Sequence, residues 1–104
     1  AYSAPEVLQN DRDNQNVRTD IFSTGIVFFE SITGEHPFNF QSMRVTEAIM
    51  QGKRKDLDGY IQNGTVEKQL DAIYKKMTEI EPVDRYRLPS HAVEDLNVVV
   101  GEIA

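Results

Sequence analysis

The residues best suited to chemistry are few and scattered. The chain has two histidines and no cysteine. His36 precedes a proline in a loop and His91 opens a helix. They lie far apart, without spaced carboxylates beside them, so they do not compose a zinc-type ligand set. In "NDRDNQN" (10–16), Asp11 and Asp13 alternate with other polar residues as calcium ligands do. The glycine and terminal glutamate of a calcium loop are missing, and the stretch reads as a solvated loop. Without cysteine, thiolate catalysis, disulfides and Cys-type zinc sites are excluded. No Ser-His-Asp arrangement stands out. The basic cluster Lys53-Arg54-Lys55, beside Gly52, reads as a solvated helix end. Taken as residues alone, Glu6 and Arg85 are two surface charges, as most charges are.

The 104 residues make one domain, or a piece of one, with a modest core. A hydrophobic share of 39% and a charged share of 27% fit a soluble globular protein. The formal net charge of −6 argues against nucleic acid or an anionic membrane as partner. No signal peptide is expected, and no apolar run in these residues reaches membrane-spanning length. "NGT" at 63–65 matches a glycosylation acceptor and reads as coincidence. A cytoplasmic location is the expectation.

The elements that must position these residues read as helices. "PEVLQN" is a short helix opened by Pro5, with "AYSA" extended before it. In "IFSTGIVFFESITG", apolar residues spread around the whole helical circumference, so the spacing predicts a central helix buried on all sides. Thr19 is its expected N-cap and Gly34 its stop. "SMRVTEAIMQG" reads as a second helix capped by Ser42 and stopped by Gly52. Thr65 is the expected cap of an amphipathic helix carrying Val66, Leu70, Ile73, Tyr74, Met77 and Ile80 at helical spacing. "EPVDRYRLP" breaks it, and "SHAVEDLNVVVGEI" is the last helix. The expected class is all-α, about five helices around one buried central helix. The short neighbours offer limited cover for Ile21, Phe22, Ile26, Phe28 and Phe29. Self-association through the central helix is therefore expected.

Three stretches carry a resemblance. "YSAPEVL" resembles the Ala-Pro-Glu motif that closes the activation segment of protein kinases. "RTDIFSTGIVFFESITGEHPF" resembles the family's helix and turn that carry Asp, Ser-(x)-Gly, Glu, Thr-Gly and Pro-Phe. "EPVDRYRLPSHAVEDL" resembles the late Asp-Pro-(x)-(x)-Arg segment in its serine/threonine-kinase form. The motifs stand in the family's order and span nearly the whole chain. The chain resembles the back half of the C-terminal lobe of a Hanks-type serine/threonine kinase, beginning inside the activation segment. On that resemblance, residues 1–10 end the activation segment, 18–34 form the central helix, 42–52 a docking-type helix and 65–104 the late helices.

The resemblance also implies roles. Tyr2, Ser3, Ala4 and Pro5 belong to the substrate-side loop. Glu6 pairs with Arg85, and Asp20 anchors the catalytic loop. Val27 and Ser31 lie under an apolar stack on the adenine side. Met43, Thr46, Glu47 and Met50 belong to a helix that docks protein partners. Thr24 and Ser31 depart from the family's larger apolar residues, Glu81 from its Asp, and Leu88 from a capping Ser or Thr. Phosphate loop, catalytic lysine, H-R-D and D-F-G have no counterpart in these residues. Base and metal-holding groups would therefore lie elsewhere. The resemblance implies a parent that transfers the γ-phosphate of ATP, with magnesium, to protein Ser/Thr. This piece would hold no cofactor. It would serve as substrate-side scaffold, with the rest of the kinase domain and a protein substrate as partners. The alternative is a self-standing kinase-like module, a pseudokinase or decoy, that pairs with a true kinase.

Overall fold

The computed structural model describes residues 2–103. Five helices follow one another: α1 (Pro5–Leu8), α2 (Val17–Thr33), α3 (Val45–Gln51), α4 (Gly64–Met77) and α5 (Pro89–Ile103). Short 3-10 turns lie at Arg12–Asn14 and Pro82–Asp84. The described residues form no strand, only an isolated bridge between Phe40 and Met43.

The starts and stops of the helices follow from local chemistry, at positions slightly different from those expected. Asn16, not Thr19, caps α2: its side chain accepts from the Arg18 amide (2.9 Å). The Asn16 amide in turn donates to Thr19 Oγ1 (3.1 Å), closing a reciprocal capping box. The helix therefore begins at Val17 and ends at Thr33, with Gly34 (φ 76°) as its left-handed cap. Asn63, not Thr65, caps α4, accepting from the amides of Thr65 and Val66. The helix expected over 42–52 is shorter. It starts at Val45 behind Arg44, which makes no side-chain cap bond, so Ser42 and Met43 lie outside it.

The buried apolar residues gather along three faces of α2. Ile21 joins Val66, Ile73, Met77, Tyr86, Ala92 and Val99. Phe22 and Ile26 join Ala4, Phe38, Ala48 and Ile49. Phe29 meets Leu57 and Tyr74, its ring centroid 4.7 Å from that of Tyr74. Glycine at 25 lets α2 and the end of α4 touch: a Cβ there would stand 2.7 Å from Thr78 Cγ2 and 2.9 Å from Met77 Cβ.

The fourth face of α2 is open, which corrects the expectation of burial all round. Asp20, Thr24, Val27 and Ser31 recur at i, i+4, i+7 and i+11 and are exposed, Val27 by 54%. Of the five apolar residues expected to lack cover, Ile21, Phe22, Ile26 and Phe29 are buried and Phe28 is half-buried. The molecule measures 43 × 32 × 17 Å. The chain covers three faces of its central helix and leaves the fourth bare.

Candidate functional site

The first helix is tied to the rest of the chain through one carboxylate. Ala4 enters α1 extended (ψ 159°) and Pro5 sets its first turn. This places Glu6 over the start of α2, where it is 3% exposed. Arg85, also 3% exposed, follows the Pro82–Asp84 turn and reaches back to it. Arg85 Nη1 donates to Glu6 Oε2 (2.7 Å) and Nη2 to Oε1 (2.9 Å), two parallel bonds. The remaining guanidinium donors are also used. Nε donates to the Glu79 carbonyl (2.7 Å), Nη1 to that of Arg18 (3.0 Å) and Nη2 to that of Ile80 (3.0 Å). The guanidinium carbon lies 4.8 Å from the centre of the Phe22 ring. Thr19 Oγ1 adds a bond to Glu6 Oε2 (2.8 Å). Burial by itself would raise the Glu6 carboxyl. The Arg85, backbone and Thr19 hydrogen bonds outweigh it and hold the group below the ordinary carboxylate range.

The other residues singled out in the sequence divide into two places. Ahead of α1, Ala4 and Pro5 are buried, Ser3 is half-buried and Tyr2 is exposed. The Tyr2 carbonyl accepts from Ser23 Oγ (2.7 Å), which fixes this strip on α2. A hydrogen bond with Glu30 raises the Tyr2 phenol above its ordinary value. Asp20 stands in the first turn of α2, exposed on its open face.

Thr46, Glu47 and Met50 lie on the outer side of α3. With Leu8 of α1 and Gln51 they line a groove of about 380 Å³. Met43 does not share that surface. It is half-buried against the Ala4, Phe22 and Ile26 cluster.

Two structural ties were not apparent in the sequence. Glu67, buried in the first turn of α4, accepts from the amides of Gly59 (3.1 Å), Tyr60 (2.8 Å) and Ile61 (2.7 Å). These bonds, those to Ile61 and Gly59 foremost, hold its carboxyl below the ordinary range. The only forewarning was a polar loop whose amides needed acceptors. The basic cluster is likewise more than a solvated end. Arg54 Nη1 donates to the Thr78 carbonyl (2.8 Å), and Lys53 and Lys55 stand over the Phe40 ring at 4.8 and 5.7 Å.

The helical lobe thus has its first helix clamped by a buried carboxylate–guanidinium pair and one bare face on its central helix. Residues 1–95 match the family model described as the protein kinase domain, and the chain belongs to that family. It is 33% identical over 98 residues to the probable serine/threonine-protein kinase CPE1738 of Clostridium perfringens, covering 94% of this chain and 14% of that protein. It is 31% identical over 84 residues to Protein lin-2 of Caenorhabditis elegans, covering 81% of this chain and 8% of that protein. It is 32% identical over 106 residues to serine/threonine-protein kinase ATG1 of Colletotrichum lindemuthianum, covering 98% of this chain and 14% of that protein. The chain thus spans less than a sixth of each relative's length. No helix among the described residues is long and apolar enough to cross a membrane.

Proposed function

We propose that the chain forms the substrate-side scaffold of a serine/threonine protein kinase and works in the cytoplasm. In this reading residues 1–10 end the activation segment, 18–34 center on the central helix, 42–52 hold the docking region and 65–104 the late helices. Kinase names among its relatives support the activity. The observation that carries the reading is the open face of α2, with Asp20 at its head and Val27 and Ser31 below. The remainder of the kinase domain would cover that face, and Asp20 would accept hydrogen bonds from the catalytic loop. The Glu6–Arg85 tie would hold Tyr2, Ser3, Ala4 and Pro5 in place beside a protein substrate. The groove of Thr46, Glu47, Met50 and Leu8 would seat a more distant part of that substrate.

Among the described residues, no group of three His, Cys, Asp or Glu side chains could hold a metal ion. In this reading ATP and magnesium would be held by other parts of the parent protein, and the chain's own part is to position. A second copy could cover the same open face in the isolated chain, which is where self-association would occur.

The test is phosphoryl transfer from ATP to Ser/Thr peptides by the full-length protein that carries this chain. Wild type should transfer phosphate. Asp20→Ala should lose most of that activity while thermal melting shifts by no more than the few degrees that a charge at a helix N-terminus accounts for. Full activity in the variant would overturn the anchoring role. An inactive wild type that nevertheless binds an active kinase would favour the regulator instead.

A further inference from the structure

Among the asparagines of the chain, Asn63 alone is followed by glycine. Asparagine carries a built-in reactivity: the backbone nitrogen of the next residue can attack its side-chain carbonyl carbon. That nitrogen and Cγ form a bond, Nδ2 takes up the displaced amide proton and leaves as ammonia, and a five-membered cyclic imide results. Water then opens the ring on either side. Opening at Cγ gives aspartate. Opening at the main-chain carbonyl gives isoaspartate, whose backbone runs through the former side chain. In sum, an amide and water become a carboxylate and ammonium. The usual brake is crowding by the next side chain, and glycine has none. Asn63, Gly64 and Thr65 are all exposed. Beyond its own helix and chain neighbours, nothing lies within 4 Å of where a Cβ on Gly64 would stand.

The fold holds this pair in an unreactive arrangement. Asn63 caps α4, its Oδ1 accepting from the amides of Thr65 (3.1 Å) and Val66 (3.2 Å). Its backbone is extended (ψ 104°), and its carbonyl accepts from the Glu67 amide (2.9 Å). Ring closure needs the 63–64 peptide to turn about the Cα–C bond until the Gly64 nitrogen lies beside Cγ. That turn pulls the Asn63 carbonyl off the Glu67 amide and Oδ1 off its two donors. The preceding loop cannot give way instead, because the Glu67 carboxylate holds the amides of Gly59, Tyr60 and Ile61. Glu67 thus grips Asn63 through its amide and the chain just before it through its carboxylate.

We infer that Asn63 is a site of spontaneous deamidation, with water as co-reactant, and that Glu67 is its latch. Conversion proceeds only from states in which the first turn of α4 has opened, so its rate reads that local opening. The two products differ in effect. Aspartate at 63 keeps a capping oxygen in place and adds a negative charge at a helix N-terminus, where it is favourable. Isoaspartate adds a carbon to the main chain, which sets the loop and α4 out of register and releases the Glu67 bonds to residues 59–61. None of this depends on whether the parent is catalytically active.

Peptide mapping by mass spectrometry tests this on the whole chain, native and in denaturant, at mildly alkaline pH, with aspartyl and isoaspartyl products separated by chromatography. In denaturant Asn63 should convert ahead of every other asparagine. The native chain should convert about tenfold more slowly, the scale of protection that capping bonds give. Glu67→Gln, its folding checked by circular dichroism, should recover part of the denatured-state rate. Gly64→Ala should slow conversion in denaturant, where the fold plays no part, because its Cβ crowds the attacking nitrogen. Earlier conversion at another asparagine, or an unchanged denatured-state rate in Gly64→Ala, would overturn the site. Equal native and denatured rates, a comparison that needs no variant, would overturn the protection by the fold. A folded Glu67→Gln that converts no faster than wild type would overturn the latch.

Discussion

Gly25 and Thr78 stand so close that a methyl group on Gly25 would lie 2.7 Å from Thr78 Cγ2. Thr78 cannot readily move. It is fully buried, and its hydroxyl donates to the Tyr74 carbonyl (2.9 Å) while its own carbonyl accepts from Arg54. The contact therefore sets the separation of α2 and α4. Gly25→Ala should destabilise the fold by about 1–3 kcal/mol through overpacking. Adding Thr78→Ser removes the opposing methyl, keeps the hydroxyl and should recover part of the loss. Denaturant melts of the single and double variants decide it. Equal stability of Gly25→Ala and wild type would show that the helices can separate freely.

The Glu67 carboxylate should govern residues 59–61. Glu67→Gln keeps one acceptor oxygen and loses the charge. The amides of Gly59, Tyr60 and Ile61 should then exchange with solvent faster, while amides in the middle of α2 stay protected. Acid should act alike. The folded-state value is depressed, so the stabilisation is complete above the ordinary carboxylate value of about 4.3. It is lost as pH falls through the folded value. Hydrogen exchange followed by NMR provides the measure. Unchanged protection in the variant would mean other groups hold the loop.

Asp20 should matter little to the stability of this chain. Its side chain is exposed, and its contribution is that of an acid near a helix N-terminus, about 0.3–1 kcal/mol. Asp20→Asn should lie within that range in a denaturant melt. A larger loss would mean that Asp20 has a structural partner within the chain.

The parts of the fold legible in the sequence were those set by local period and by turn residues. Val66, Ile73, Tyr74 and Met77 follow one stripe and share the buried side of α4. Gly34 and Gly52 take left-handed conformations at the ends of α2 and α3. Caps were less legible, because Asn16 and Thr19 are both good capping types and only the backbone decides between them. The open face of α2 could not be read from composition, since Val27 looks as apolar as Ile26. Which of the two is covered depends on what else folds against the helix. Glu67 and Arg54 were hidden for a related reason. The partners of Glu67 are backbone amides and the shortest bond of Arg54 is to a backbone carbonyl, and sequence carries no separate mark for those.

The tie between Glu6 and Arg85 should be the most sensitive polar contact in the lobe. Both side chains are almost wholly buried, and together they join α1, the start of α2 and the segment after α4. The pair need not raise net stability, because removing two charges from water costs about what their attraction returns. Breaking it is different. Arg85→Ala strands the Glu6 carboxylate and three carbonyls, and should cost roughly 3–5 kcal/mol. Arg85→Lys should recover only part, since an ammonium cannot make both parallel bonds or reach the same three carbonyls. Glu6→Gln combined with Arg85→Met leaves no unpaired charge and should cost less than Arg85→Ala alone. The pH dependence has a definite sign. The Glu6 carboxyl is held low in the folded state, so its contribution is present above the ordinary carboxylate range and fades as pH falls through the folded value. Arg85→Met should abolish that component of acid sensitivity. Denaturant melts of these proteins across acid and neutral pH measure both effects. A loss below about 0.5 kcal/mol in Arg85→Ala, the size expected of a surface charge, would mean that the pair does not hold the first helix.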